Sequence, residues 1–199
     1  MQCAICGADA WYVCGRSGRP VCPQHSRIEV VSRLSFGSSG SLSVREASPS
    51  DYEKIGELAE YFWDTGKVTC FDKEYDVLKL PAYVVSANEH VSGVLSYSLE
   101  QESLIIVMLD VLPGYQGLGG GRMLLDAAKE KAAAEKKGDV LVCTSNDDLP
   151  AIYFYQKNGF QMYEVKPNWI AEHHGELQVG FAGIPCRDEI CLRYVIRDA

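Results

Sequence analysis

No apolar run in this 199-residue chain approaches the roughly 20 residues a helix needs to cross a bilayer, so helical membrane spans are excluded. The start Met1-Gln2-Cys3 leaves no room for a secretory leader, which gives the expectation of a cytoplasmic protein. Positive charge is scarce: 19 Lys and Arg stand against 27 Asp and Glu, a net charge of -8. Such acidity disfavours nonspecific contact with nucleic acid or anionic membrane and suits a cationic amine. No internal repeat is visible, and 47% hydrophobic residues suffice for one substantial core with a small appendage. Two common phosphate-binding loops are missing as well. Gly-Lys-Ser/Thr occurs nowhere, and G-x-G-x-x-G begun at Gly117 needs glycine where Arg122 stands.

Cysteine is not scarce, and its placement is uneven. Four of the eight, Cys3, Cys6, Cys14 and Cys22, lie in the first 22 residues, which in a reducing compartment reads as metal ligation rather than disulfide bonding. Cys3-x2-Cys6 and Cys22-x2-His25 form two chelating pairs, enough for a closed, structural tetrahedral zinc site. Cys3, Cys6, Cys22 and His25 are the favoured ligands, with Cys14 the alternative to His25. The segment resembles small B-box and HIT zinc fingers, although Ser17 stands where their second middle cysteine would be. The expected organisation is a zinc module over 1–34, a Gly/Ser linker over 35–42 and one catalytic-size domain over 43–199. The module's basic excess is small, so contact with a protein partner is expected ahead of nucleic acid.

The most informative segment is Gln116-Gly117-Leu118-Gly119-Gly120-Gly121-Arg122. It follows the apolar run Leu104 to Leu109 and opens the helical stretch from Met123 to Lys137. A strand feeding a glycine turn and a helix N-terminus forms an anion cradle, because free backbone N–H groups and the positive helix end converge there. A phosphorylated ligand follows. Elsewhere, Ser48 can cap a first helix with Pro49 at its first position and Asp51 three residues on, while Ile55, Leu58, Ala59 and Phe62 recur at helical spacing. The stretch from Gly66 to Leu80 reads as irregular. Strands are expected at 44–46, 82–86, 92–97, 104–111 and 140–143, with 190–196 closing the sheet. Helices are expected at 119–137, ended by Gly138, and at 150–158.

The pattern Gln116-x-x-Gly119-x-Gly121 resembles the acetyl-CoA pyrophosphate loop of the GNAT superfamily of N-acyltransferases. The stretch from Thr144 to Phe160 is similar to that superfamily's later motif, in which an Asn leads a helix ending in Tyr-x-x-x-Gly-Phe. The resemblance implies an α/β fold with a mixed sheet, and acetyl-CoA-dependent transfer to a primary amine, small molecule or protein, in a ternary complex. It further implies that the backbone of Leu109 and Val111 pairs with pantetheine in a gap between central strands. Gln116, Gly117, Leu118, Gly119, Gly120, Gly121 and Arg122 then hold the pyrophosphate. Asn146 bonds a pantetheine amide or caps the helix, and Tyr153 packs or forms a CoA wall. Tyr155 is the general acid. Asp110 is the leading base, with its facing undecided and Asp64, Asp72, Glu74, Asp76 and His173-His174 as alternatives. A weak acyl-CoA-binding sensor and a zinc-finger adaptor are the competing functions; the acceptor's identity and the oligomeric state stay open.

Overall fold

The computed structural model describes residues 12–13, 20–21, 42–87, 90–174 and 178–196. Near the N-terminus β1 (Tyr12–Val13) and β2 (Pro20–Val21) pair antiparallel. Cys3, Cys6, Cys14, Cys22 and His25 lie outside the described residues, as does the linker as far as residue 41.

The remaining elements follow in chain order: β3 (Leu42–Glu46), α1 (Tyr52–Trp63), β4 (Lys67–Cys70), β5 (Lys73–Asp76), β6 (Ala82–Ala87), β7 (His90–Leu99) and β8 (Ser103–Val111). After these come α2 (Gly120–Ala134), β9 (Asp139–Ser145), α3 (Leu149–Lys157), β10 (Gln161–Lys166), α4 (Trp169–His174), β11 (Gln178–Val179), β12 (Pro185–Cys186) and β13 (Glu189–Val195). A seven-stranded sheet runs β10-β13-β9-β8-β7-β6-β3. Every neighbouring pair in it is antiparallel except β8 and β9.

Each face of the sheet carries its own core. Leu124, Leu125, Ala128 and Ala132 of α2, with Tyr155 and Phe160, cover Tyr83, Leu95, Tyr97, Leu104, Ile106 and Val142 on one face. On the other, Ile55, Leu58 and Ala59 of α1 meet Val84, Val94, Ile105, Val107 and Met108. Ile55 and Leu58 are essentially fully buried, each contributing about 2 kcal/mol of transfer free energy. The helix is entered through a short 3-10 turn, Pro49–Asp51. There the buried Asp51 carboxylate accepts the Ser48 N–H at 2.7 Å and a two-pronged contact from Arg45 at 2.6 and 2.8 Å.

The feature that positions the site is a break between the central strands. Ser96 lies opposite Met108 but Tyr97 opposite Ile106, so Val107 is an extra residue in β8. A bulge bends its strand. The β8–β9 ladder accordingly stops at Ile106 and Val142. From there β8 continues along β7 to Val111 while β9 continues along β13 to Ser145, and the two strands part.

Several expectations need correcting. The stretch from Gly66 to Leu80 is not irregular: it holds the β4–β5 hairpin, turned by Phe71 and Asp72 at φ 51° and 60°. The strand at 190–196 does not close the sheet, since β13 lies between β9 and the edge strand β10. The helix expected to reach Gly138 ends three residues before Lys137. Lys136 takes φ 55°, its N–H donating to Ala133 O and that of Lys137 to Ala132 O, a Schellman cap built without glycine.

Candidate functional site

The outer edge of β8 is the first part of the site. In an antiparallel pair, opposed residues alternate between exchanging both hydrogen bonds and exchanging none. Leu112 donates to Ser92 O at 2.8 Å, so Asp110 and Val94 form a bonded pair, and the N–H and C=O groups of Leu109 and Val111 point away from β7 toward the opening. Gln116 Nε2 donates to Val111 O at 2.9 Å, as that direction requires. The Gln116 side chain thereby closes the turn and is not free for a ligand. Leu109 keeps an open backbone edge beyond the last rung of the β8–β9 ladder.

The glycine turn follows at once. Gly117 and Gly119 have φ of 79° and 96°, and a Cβ built on either meets nothing within 4 Å. Only glycine adopts these conformations cheaply, and the vacant side lets a ligand approach the backbone. Gly119 ends the turn as the N-cap of α2, leaving the first N–H groups of that helix without intrahelical partners. Gly120 serves packing instead, because a Cβ there would touch Val85 at 3.4 Å, and at Gly121 it would meet the Phe154 ring at 3.2 Å. Leu118 is half exposed. Arg122 projects to solvent and, among the described residues, has only a long contact to Asp126 at 3.5 Å.

These residues line a cleft of about 720 Å³ that runs from Leu109, Asp110 and Val111 past Tyr115 and the turn to Lys129, Phe154, Tyr155 and Lys157. Three cations thus line an otherwise acidic molecule's cleft. Lys129 donates to Asn158 O at 2.8 Å and lies 4.2 Å from the centre of the Tyr194 ring.

Tyr155 and Asp110 both line the cleft where the strands part. Tyr155 is 6% exposed, and no hydrogen bond to its hydroxyl occurs among the described residues. Burial raises its hydroxyl above the ordinary phenol value, with the charges of Asp110 and Asp148 adding to the effect. Asp110 lies on the α1 face of β8, between Leu109 and Val111, whose side chains join the opposite core. Trp63 Nε1 donates to Asp110 Oδ2 at 2.8 Å. Burial pushes the Asp110 carboxyl up to about 6, opposed by the Trp63 bond and reinforced by Asp148. Asp148, not Asn146, caps α3, accepting from Ala151 N at 3.0 Å. The arrangement offers a weak base and a retained phenolic proton on the two sides of one opening.

Other candidates are engaged elsewhere. Asn146 Oδ1 accepts from the N–H groups of Arg187 and Asp188, both at 2.8 Å, and its Nδ2 donates to Pro185 O, so it fastens the loop before β13. Tyr153 is 62% exposed with Lys157 over its ring, and does not line the cleft. Asp64 ends α1 in a left-handed conformation. Asp72 binds Lys166 and Trp169, Glu74 binds Lys67, and Asp76 caps the turn after β5. His173 stacks on Trp169 in α4. Asp188 makes a two-pronged pair with Arg187, while buried Glu189 takes Lys166 at 3.0 Å. Cys191 is buried and Cys186 partly so. Among the described residues no group of His, Cys, Asp or Glu is arranged to hold a metal ion. Phe154, Lys129 and Trp63 escaped the sequence reading; Phe154 alone had a signal there, its place one residue before Tyr155.

The acetyltransferase (GNAT) family profile matches residues 45–160. An uncharacterized Bacillus subtilis protein, YdhI, is 32% identical over 116 residues, covering 56% of this chain and 71% of its own length. Streptothricin acetyltransferase of Streptomyces lavendulae is 33% identical over 78 residues, 38% of this chain and 41% of its own. Among solved structures, IAA acetyltransferase from Bacillus cereus matches with a TM-score of 0.59 at 24% identity, over 78% of this chain and 99% of that one. A GNAT family acetyltransferase from Elizabethkingia anophelis with acetyl-CoA bound matches with a TM-score of 0.60 at 20% identity, over 77% and 97%. At these identities the structures establish a common fold.

Proposed function

This chain belongs to the acetyltransferase (GNAT) family, and from that premise we propose that it moves an acetyl group from acetyl-CoA to a primary amine admitted on the α1 side of the opening between β8 and β9. The observation that carries the reading is the continuity of the open Leu109 edge with the vacant turn at Gly117 and Gly119 and the N-terminus of α2. An amide-bearing chain ending in a pyrophosphate fits that sequence of donors and acceptors. In this reading Leu109 and Val111 offer backbone to the pantetheine, Gly117 and Gly119 offer the pyrophosphate open space, and Gly117, Leu118, Gly119, Gly120 and Gly121 offer it N–H groups. Gln116 holds the turn, and Arg122, Lys129 and Lys157 supply positive charge. Asn146 secures the 185–188 loop and Tyr153 remains on the surface, so neither enters the binding set.

Acetyl-CoA, when bound, supplies the acetyl group as an activated thioester. The chain's own residues orient the amine and manage protons. Asp110 accepts a proton from the incoming ammonium: a carboxyl pushed up to about 6 is ionised at neutral pH yet more basic than a solvated aspartate. The amine nitrogen bonds the acetyl carbon as the C–S bond breaks, and Tyr155, held protonated by burial, gives its hydroxyl proton to the departing thiolate from the opposite side of the opening.

In the same proposal residues 43–199 form the catalytic domain, joined by a linker at 35–42 to a module at 1–34 in which Cys3, Cys6, Cys22 and His25 bind one structural zinc. The spacing of those four residues supports it. One zinc per chain by atomic absorption, lost in Cys3→Ser, is the expected result.

Calorimetric titration of the full chain with acetyl-CoA tests the main reading, followed by thiol release with spermidine, a lysine-containing peptide and streptothricin as amines. Micromolar binding to the wild type, lost with the melting temperature kept in Gly117→Asp, whose added carboxylate stands in open space on the turn, supports it. A wild type that does not bind acetyl-CoA overturns it.

A further inference from the structure

The end of α1 enters the site from a direction the sheet and the glycine turn do not explain. Ile55 and Ala59 are buried against the sheet, and Trp63 stands on the same helix face one turn further. That stripe outruns the covered part of the sheet. Trp63, 44% exposed, therefore overhangs the end of β8, and its indole N–H donates to Asp110 Oδ2 at 2.8 Å. Asp64 ends the helix immediately after, in a left-handed conformation with its N–H on Glu60 O at 3.1 Å. The indole is thus held by a helix terminus that cannot extend further.

We infer that Trp63 is a positioning residue for acetyl transfer, fixing the orientation of the Asp110 carboxylate and keeping it ionised through a charge-assisted hydrogen bond. The inference rests on the proposal that Asp110 is the base. The surroundings give the bond its importance. The groups bearing on Asp110 are acidic or neutral: the Asp148 carboxylate at the start of α3, the Tyr155 hydroxyl, and apolar Val94 opposite it on β7; Arg122, Lys129 and Lys157 line the same cleft but none pairs with it. No cation forms an ion pair with Asp110 among the described residues. The indole N–H is the group that favours the charged carboxylate against burial and the Asp148 charge. A base protonated at working pH takes no proton from an ammonium, so the bond sets the pH range in which the site operates.

The test follows the 13Cγ resonance of Asp110 through a pH titration of the full chain, in the wild type, Trp63→Phe and Trp63→Gln. Thiol release from acetyl-CoA with the amine panel is measured in parallel. Losing one hydrogen bond to a charged group moves a carboxyl by about one pH unit. Trp63→Phe then titrates about one unit higher than the wild type, and its kcat/KM relative to the wild type falls about 5-fold further at pH 6 than at pH 8.5, where only the loss of orientation remains. The binding constant for acetyl-CoA stays as it was. Trp63→Gln, which keeps an N–H donor, returns the midpoint toward the wild-type value. An unmoved midpoint in Trp63→Phe overturns the inference while leaving Asp110 as the base. Unchanged turnover in Asp110→Asn, whatever the midpoints, overturns the assignment of the base and the inference with it.

Discussion

Replacing Asp110 by Asn separates stability from activity in a direction that few active-site substitutions take. The carboxyl is raised from 3.8 to about 6 by burial. A raised carboxylate costs the native state free energy wherever it is ionised. Roughly two pH units correspond to about 3 kcal/mol at most, and the residual desolvation of an asparagine amide reduces the expected gain to about 1–2 kcal/mol. Asn keeps an oxygen for the Trp63 N–H, so that contact survives. For a domain of this size each kcal/mol moves the melting temperature by about 2–4 °C. Asp110→Asn is therefore expected to melt about 2–8 °C above the wild type at pH 7.5.

The sign of the pH dependence makes the prediction specific. A group whose folded value is raised contributes stability in full below its unfolded value and loses it as pH rises through the folded value. The advantage of the variant should thus be largest above pH 7, halve near pH 5, midway between the unfolded 3.8 and the folded value of about 6, and disappear below about pH 4, where both side chains are neutral. Turnover should fall about 100- to 1,000-fold through loss of the base. Thermal melts followed by circular dichroism across pH 4.5 to 8, beside thiol-release rates, read both quantities. A variant no more stable than the wild type at pH 7.5, or one whose advantage is the same at every pH, refutes the argument that Asp110 is held ionised at a cost.

Tyr155→Phe should lower kcat at least 10-fold while leaving acetyl-CoA affinity unchanged by calorimetry, because the hydroxyl makes no hydrogen bond among the described residues and the ring keeps its packing. Lys166→Met should destabilise the fold by about 3 kcal/mol in urea denaturation, because Glu189 is 2% exposed and would be left as a buried charge without its 3.0 Å partner; adding Glu189→Gln to that variant should restore much of the loss. Asp51→Ala should cost about 2 kcal/mol at pH 7 through the lost Arg45 and Ser48 contacts. Arg45 and Ser48 hold the Asp51 carboxyl well below the usual carboxylate range, so this cost should shrink as pH drops below about 4, where the unfolded chain takes up a proton that the native carboxylate does not yet bind.

The parts of the molecule legible in the sequence are those whose physics is local. The glycine turn, its helix and the Ser48 to Asp51 entry to α1 are each written in a few consecutive residues, and the structure has them where the spacing put them. Tyr155 was reachable because the Tyr-x-x-x-Gly-Phe run fixes it one turn before Gly159, which takes φ 89°. Illegible elements broke a local rule. The β4–β5 hairpin turns on Phe71 and Asp72 at positive φ with no glycine or Asn-Gly to announce it. The C-cap at Lys136 does the same. In β10 five of six residues are exposed, so no alternation of burial was there to be read.

The same division runs through the site. The side assigned to acetyl-CoA is backbone and glycine, all within residues 109–122, and any chain that keeps that short segment keeps the cradle. The side assigned to the amine rests on a contact between residues remote in sequence, Trp63 with Asp110 across 47 positions; the contacts of Asp72 with Lys166 across 94 and with Trp169 across 97 are of the same long-range kind. Pairings of that kind leave no spacing signature, and either partner can change without disturbing the other's local structure. The α1 end, the β4–β5 hairpin and the region from Lys166 to His173 can therefore change without touching the glycine turn, and in the proposed reading the choice of amine is made in these three segments. For this chain the Asp72 clasp joins two of those three segments, so an acceptor found by screening should lose kcat/KM in Asp72→Ala with acetyl-CoA binding intact.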